Sequence, residues 1–359
     1  RGLISRCFTD MSDVETSIIC DLEDFAINET LKIFEEKSLP LPRITKDADE
    51  VINDPEIAVV AEVIGGMKFS YGYVKAALEA GKSVVTSNKA CVDKYGAELE
   101  SVAAENGVVY LYEASVGGGI PIIRPIVQCL AANEISDIAG ILNGTTNFIL
   151  TKMVREGMTF EDALAQAQEL GYAERDPSAD VDGIDACRKI AILTSLAFGK
   201  HVDPDLIYTE GITGITLTDV AYAEKWGGVI KLIGRVRRFE DGRVMPTVYP
   251  AFIPGYSQLS SVDDVFNAIM VRGDAIGDVM FYGRGAGKLP TASAVVADVV
   301  DCVKHIKARK YLYWEESMPG YVKDHSLAEG EMFLRAETDD YTAARTFVES
   351  HFKVIDELS

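Results

Sequence analysis

Short apolar runs alternate with longer amphipathic stretches through the first third of the chain. Three apolar runs of strand length occupy residues 57–64, 83–87 and 108–113. Two stretches with helical spacing lie between them, each followed by a glycine, at residues 70–80 and 95–106. Strand, helix, strand at these intervals predicts parallel βαβ units with both faces of the sheet covered. The predicted fold class is therefore α/β, with a partial doubly wound, Rossmann-like sheet over residues 1–120.

From about residue 120 the hydrophobic pattern changes to that of several helices, followed by segments in which apolar and polar residues alternate. Helices are predicted at residues 143–154, 160–170 and 182–198, and antiparallel strands at 227–238 and 243–252. This order predicts an inserted α+β substrate and dimerisation domain over residues 121–282. A glycine-rich turn and helix at about 283–305 is expected to complete the first domain. Residues 306–359 are left as a short appendage, with a strand at 331–336 and a helix at 341–352.

The composition narrows the class of protein. The chain has 359 residues and a mass of 39.1 kDa, and its 48% apolar content fits a packed globular interior. A net charge of −21 argues against nucleic acid and anionic membranes as partners. No apolar run approaches the roughly 20 residues that span a bilayer, and residues 1–6 lack a signal-peptide pattern. We therefore expect a soluble protein.

The cysteines and histidines offer no evident site. Six cysteines lie far apart, without a CxxC pair, at positions 7, 20, 91, 129, 187 and 302. This spacing disfavours zinc sites and disulfides and fits a reducing cytoplasm. The four histidines are equally scattered. If the chain is an enzyme, we expect its acid–base chemistry to use lysines and carboxylates.

Two lysines are candidates for that chemistry. Lys89 follows a predicted parallel strand, at the edge where open α/β sheets bind ligands, although a strand-ending lysine facing water is an equally simple interpretation. Lys189 lies four residues after Asp185 on a helix that is apolar nearly all round. Such a pair is usually a surface ion pair, but burial would lower the lysine pKa and make it a proton donor and acceptor near neutral pH. The pattern leaves both alternatives open.

Two further segments have both a structural and a functional interpretation. The loop before Lys189 carries five carboxylates, at positions 174, 176, 180, 182 and 185. It is either a solvated loop with helix-capping acids or a site that grips an ammonium group. The run from Glu113 to Ile120 is either a tight glycine turn or a set of oxygen ligands for a hard cation.

Five motifs in order support a more specific interpretation. They are TSNK (86–89), EASVGGGIPI (113–122), NGTTN (143–147), GYAERDPSADVDGIDACRKIAIL (171–193) and FYGRGAGKLPTASAVVADV (281–299). Together they resemble the homoserine dehydrogenase family over roughly residues 54–301. The resemblance implies NAD(P)-dependent interconversion of L-homoserine and L-aspartate 4-semialdehyde, in the pathway to threonine and methionine. It also implies a homodimer.

The resemblance assigns roles to individual positions. It implies that Lys189 is the proton donor and acceptor, with Lys89 as the second lysine and Asp180 positioning the catalytic lysine. The implied substrate ligands are Glu174, Asp185 and Gly171. The implied cofactor contacts are Gly65, Ser87, Lys89, Gly285 and Gly287. The implied structural sodium site uses the side chain of Glu113 and the carbonyls of Val116, Gly118 and Ile120.

The N-terminal region differs from the family pattern. No glycine lies between Gly2 and Gly65, so the GxGxxG turn that receives a cofactor pyrophosphate is absent there. Residues 17–25 (SIICDLEDF) align as a remnant of the family's second strand, with Asp21 in place of its ribose-binding acid. Two alternatives to an active enzyme stay open: an inert relative that binds an amino acid or serves as a structural subunit, and another amino-acid dehydrogenase of similar architecture.

Overall fold

The structure, a computed structural model, describes residues 16–306, 314–328, 330–335 and 337–355. The predictions for the first residues, including the signal-peptide argument and Cys7, lie outside the described residues. Part of the appendage lies outside them as well. Within the described residues, no helix is both long and apolar enough to cross a membrane.

The first domain consists of short parallel strands with helices between them. Its strands are β1 (Ile18–Cys20), β2 (Arg43–Thr45), β3 (Val59–Glu62), β4 (Ser83–Thr86) and β5 (Tyr110–Leu111). Its helices are α1 (Asp24–Glu36), α2 (Ala48–Ile52), α3 (Ser70–Glu79) and α4 (Lys89–Glu105). β1 pairs with β2, and β3, β4 and β5 pair in that order, all in parallel. The predicted parallel α/β arrangement is confirmed.

Local sequence explains where these elements begin and end. The side chains of β4 are buried on both faces, as expected for a parallel strand between helices. α4 begins at Lys89, six residues before the predicted start, so that part of the prediction is wrong. The reason is Asn88, whose side chain accepts the Cys91 backbone N–H at 3.3 Å and caps the helix early.

The second domain is a six-stranded mixed sheet with helices against one face. Its strands are β6 (Ile135–Ile141), β7 (Tyr208–Thr209), β8 (Gly228–Arg238), β9 (Val244–Pro254), β10 (Phe266–Gly273) and β11 (Gly277–Arg284). Its helices are α5 (Gly144–Glu156), α6 (Phe160–Glu169), α7 (Ser178–Val181), α8 (Ile184–Phe198) and α9 (Leu217–Lys225). The strand order is β11-β10-β6-β8-β9-β7, antiparallel except for β7 with β9. Three predicted helices and the β8–β9 pair are confirmed.

The two faces of this sheet differ. The face against α5 and α8 contributes to the main hydrophobic core. The opposite face carries a smaller apolar cluster, which includes Ile141, Ile233 and Ala268. It is flanked at the edge strand by exposed Met280 and Tyr282. Leu259 and Val262 cover this cluster from within the chain, so the exposed apolar surface on that side is at the edge strand.

The chain then returns to the first domain. Helix α10 (Lys288–Lys304) packs against β3 and β4. Its buried Asp298 accepts the Glu113 backbone N–H at 2.8 Å and pairs with Arg124. The predicted return of this helix is thereby confirmed.

The tail is only partly as predicted. Helix α11 (Tyr341–His351) forms where the sequence indicated, but the described residues 331–335 form no strand, so that prediction is wrong. This segment is held by side chains instead, because Arg335 pairs with Asp219 and Phe333 stacks on Phe252. Earlier in the tail, Trp314 is buried against α4.

Candidate active site

One carboxylate holds two lysines where the domains meet. Lys89 is the first residue of α4, and Asp185 and Lys189 lie one turn apart on α8. The Asp185 Oδ2 atom lies 2.7 Å from Lys189 Nζ, and its Oδ1 atom accepts a hydrogen bond from Lys89 Nζ. Lys189 Nζ also donates to the Leu142 carbonyl at 2.7 Å. The fold thus brings together three of the predicted site residues.

The surroundings lower the pKa of both amines. The Lys189 side chain is 9% exposed, and burial lowers its pKa to about 8, against the opposing effect of Asp180. The Lys89 side chain is 36% exposed, and burial, followed by repulsion from Lys189, lowers its pKa to about 7. Amines in this range exchange protons readily near neutral pH.

An asparagine orients the carboxylates around the lysines. The Asn143 Nδ2 atom donates to Asp180 Oδ1 at 2.6 Å and to Asp185 Oδ2 at 2.9 Å. Its Oδ1 atom accepts the Thr146 backbone N–H at 2.8 Å and caps α5. Asn143 lies in the NGTTN motif, but its spacing gave no sign that it would link two carboxylates. Only its position at the start of a predicted helix indicated that Asn143 has a structural role.

The remaining predicted substrate ligands lie on the loop after α6. Gly171 ends that helix with φ +74°, and Glu174 is exposed. The Thr145 hydroxyl donates to the Tyr172 carbonyl at 2.8 Å, so the loop is fixed beside the start of α5. No hydrogen bond joins the Glu174 carboxylate to another described side chain. The roles of Glu174 and Gly171 therefore stay predictions.

The predicted cofactor contacts follow the carboxyl edge of the first-domain sheet. Gly65 follows β3 and Ser87 follows β4. After β5, Gly118 packs so closely on Gly285 that a Cβ atom on Gly118 would lie 2.5 Å from the Gly285 carbonyl oxygen. Gly287 then precedes α10. This edge is where open α/β sheets bind their ligands.

The predicted cation ligands surround the turn after β5. The Glu113 carboxylate accepts the backbone N–H groups of Ile122, Ile123 and Arg124 at 2.6 to 2.9 Å. Val116 and Gly118 are buried, and no described donor is bonded to either carbonyl oxygen. Unpaired buried carbonyls fit a hard cation. Within the described residues, no group of three or more His, Cys, Asp or Glu side chains is placed to hold a metal ion.

Two family models match the chain. The model for the NAD-binding domain of homoserine dehydrogenase matches residues 6–113, and the homoserine dehydrogenase model matches residues 121–300. A homoserine dehydrogenase from Synechocystis is 48% identical over 269 residues, which are 74% of this chain and 62% of the relative. One from Pseudomonas aeruginosa is 45% identical over 305 residues, which are 83% of this chain and 70% of the relative.

Solved structures agree with these matches. The homoserine dehydrogenase of Thiobacillus denitrificans has a TM-score of 0.77 and 43% identity, covering 82% of this chain and 66% of that one. A hyperthermophilic archaeal homoserine dehydrogenase in complex with NADPH has a TM-score of 0.69 and 28% identity. The match covers 87% of this chain and 95% of that one. The chain thus spans about two thirds of the length of several relatives that it matches.

Proposed function

We propose, since this chain belongs to the homoserine dehydrogenase family, that it interconverts L-homoserine and L-aspartate 4-semialdehyde with NAD(P). The observation that carries the proposal is the Lys89–Asp185–Lys189 cluster beside an NAD-binding domain. Its two amines have lowered pKa values, as proton transfer to and from a hydroxyl group requires.

Lys189 accepts a proton from the reacting oxygen in one direction and donates it in the other. When homoserine is oxidised, the neutral Lys189 amine accepts the hydroxyl proton as the carbonyl forms. When the aldehyde is reduced, the Lys189 ammonium returns that proton to the forming alkoxide. Bound NAD(P) supplies the hydride acceptor or donor. Lys89 is the second amine near the reacting oxygen.

The carboxylates position the two lysines and bind the substrate. Asp180 and Asp185 keep the lysines in place, and Asn143 fixes both acids. Asp185 also serves as a substrate ligand. Glu174 binds the substrate ammonium group, with Gly171 beside it, since an exposed carboxylate near the start of α5 is free to receive it.

The cofactor lies along the carboxyl edge of the first-domain sheet. Gly65, Ser87, Lys89 and the Gly285–Gly287 turn contact it in this proposal. A glycine at each close approach lets the backbone come near a phosphate or a ring. One structural relative was solved with NADPH, which makes NADPH the first cofactor to test.

A structural sodium ion fits the turn after β5. Glu113 would supply a carboxylate oxygen, and Val116, Gly118 and Ile120 would supply carbonyl oxygens. The unbonded carbonyls of Val116 and Gly118 support this ligand set. The ion would fix the turn that packs against the Gly285 segment.

A homodimer would use the open face of the second-domain sheet. Met280 and Tyr282 are exposed at the edge of that face, beside the buried apolar cluster that includes Ala268. A second copy of the same face would bury these two exposed side chains through a two-fold contact.

The test is a fluorescence titration of the purified chain with NADPH, followed by assay with aspartate semialdehyde. We expect saturable binding and turnover, and Lys189→Met should lower kcat by roughly 10²- to 10⁴-fold while NADPH still binds. Absence of NADPH binding at millimolar concentration would instead indicate the inert relative. Wild-type rates in Lys189→Met would refute the catalytic assignment.

A further inference from the structure

Glu62 is a buried carboxylate that the proposed mechanism does not use. It is the last residue of β3 and only 5% exposed. Its Oε1 atom accepts the backbone N–H of Ile64 at 2.8 Å and of Gly65 at 3.4 Å, and the Ser70 hydroxyl at 3.2 Å. Its Oε2 atom accepts the Thr86 hydroxyl at 2.7 Å. One side chain therefore holds the loop after β3, the start of α3 and the end of β4.

The hydrogen bonds continue from Thr86 to the start of α4. The Thr86 hydroxyl oxygen accepts the Asn88 backbone N–H at 2.9 Å. The Asn88 Nδ2 atom donates to the Gly66 carbonyl at 2.6 Å, which closes a ring between the two loops. The Asn88 side chain also caps α4, whose first residue is Lys89. The ring thus reaches from the loop after β3 to the lysine that binds Asp185.

The chemistry of the ring requires an acceptor at its centre. Every partner of Glu62 is an N–H or O–H donor, and a carboxylate is the side chain that only accepts. Burial of a charge is tolerated where hydrogen bonds replace its water, and each bond to a charged acceptor is stronger than a neutral one. Ser70 opens α3, so the helix N-terminus adds favourable electrostatics. A leucine of similar size would leave these donors unpaired.

We propose that Glu62 is a positioning residue, which fixes the Gly65 loop and the Asn88 cap in one arrangement for the cofactor and Lys89. The inference rests on the proposed function, because the Gly65 and Ser87 contacts are part of it. It adds a residue that touches neither substrate nor cofactor and acts through the backbone of both loops.

The first readout needs no cofactor. In ligand-free Glu62→Leu, amide hydrogen exchange should become about tenfold faster or more in residues 63–69 and 86–91, since both segments lose their shared anchor. Glu62→Gln keeps the shape and can still accept most of these bonds, so its exchange should change less. Unchanged exchange in Glu62→Leu overturns the proposal, whatever the protein catalyses.

The second readout is the split between KM and kcat. Glu62→Leu should raise the dissociation constant and KM for NADPH by about tenfold or more, with the KM for aspartate semialdehyde changed far less. A merely structural role would lower the active fraction, and hence the apparent kcat, and leave the KM for NADPH unchanged. Faster exchange without weaker NADPH binding therefore also overturns the proposal.

Two further variants complete the experiment, one as a substitute if Glu62→Leu does not fold and one as a control. Thr86→Val is nearly isosteric and removes only the link between the loops, so it should weaken NADPH binding in the same direction if Glu62→Leu fails to fold. Glu100→Gln is the matched control, because Glu100 is 4% exposed in the same domain and makes no hydrogen bond to the described residues of either loop. It should leave the NADPH affinity unchanged. If the wild-type chain binds no NADPH, the proposed function fails while the exchange data still decide the role of Glu62.

Discussion

At the residue scale, the central feature is a single carboxylate shared by two amines. Asp185 contacts Lys89 and Lys189, and Asn143 adds a hydrogen bond to the same acid. A carboxylate that faces two lysines cannot fully compensate both charges. Burial keeps the pKa of both amines below its usual value, and repulsion from Lys189 lowers that of Lys89 further.

Homoserine oxidation and aldehyde reduction should depend on pH in opposite ways, because one needs neutral Lys189 and the other needs its protonated form. Burial lowers the pKa of Lys189 to about 8, and the neutral amine is needed to accept a proton. The kcat/KM for homoserine oxidation should therefore rise with pH and level off above about 8, whereas aldehyde reduction should decline there. Steady-state rates from pH 6 to about 10 measure both limbs.

Asp180→Asn provides the control for this profile. Asp180 raises the pKa of Lys189, so its neutralisation should move the oxidation limb to lower pH. A limb that moves to higher pH, or one that Lys189→Met leaves in place, contradicts the assignment of the titrating group to Lys189.

Only part of this site could be predicted from the residues. The i,i+4 spacing places Asp185 beside Lys189, but it does not tell whether the pair is buried. The contact between Lys89 and Asp185 joins positions 96 apart in the chain, and no local pattern contains it. The resemblance supplied these positions, and the packing of α4 against α8 explains why they meet.

At the element scale, helix α4 shows how a glycine can be required inside a helix. A Cβ atom on Gly96 would lie 2.2 Å from Cζ2 of the buried Trp314. Gly72 in α3 has nothing within 4 Å of the same position. The two glycines therefore occupy opposite environments in neighbouring helices.

Alanine substitutions should separate the two cases. Gly72→Ala should stabilise the fold by about 0.5–1 kcal/mol, because alanine has the better helix propensity. Gly96→Ala should destabilise it by about 1–3 kcal/mol, since the indole has to move within a packed core. Urea unfolding midpoints measure both, and midpoints that shift in the same direction contradict the packing of Trp314 on α4.

Two strands that the sequence did not predict, β6 and β11, were missed for different physical reasons. β6 is buried along nearly its whole length, so it lacks the polar alternation that marks a half-buried strand. β11 is an edge strand with exposed and half-exposed side chains, and it contains two glycines, Gly277 and Gly283. Helix α6 is predicted best, because the Thr159 cap marks its start and Gly171 follows its end.

At the scale of the whole molecule, the feature relevant to assembly is the face of the mixed sheet that does not contact α5 and α8. Tyr282 is 54% exposed on the edge strand, opposite Ala268 of the apolar cluster. Cross-strand partners share a face, so Tyr282 belongs to the surface proposed for the dimer.

A charge on that surface should weaken the dimer. In a two-fold contact Tyr282→Glu places two like charges at one interface, and we expect dimer dissociation to increase by about tenfold or more. Sedimentation velocity at several concentrations measures this. Leu41→Glu is the control, because Leu41 is 57% exposed but lies in the first domain. A monomeric wild-type chain refutes the dimer, and an unaffected Tyr282→Glu dimer places the contact elsewhere.

The contact between Lys89 and Asp185 also limits how the two halves can be recombined. The lysine is contributed by the nucleotide-binding half and the aspartate by the other half. A chimera that joins halves of two relatives near residue 120 works only if each parent brings its matching ionic partner. A substitution at either position removes this ion pair between the halves, so each half constrains which partner it accepts.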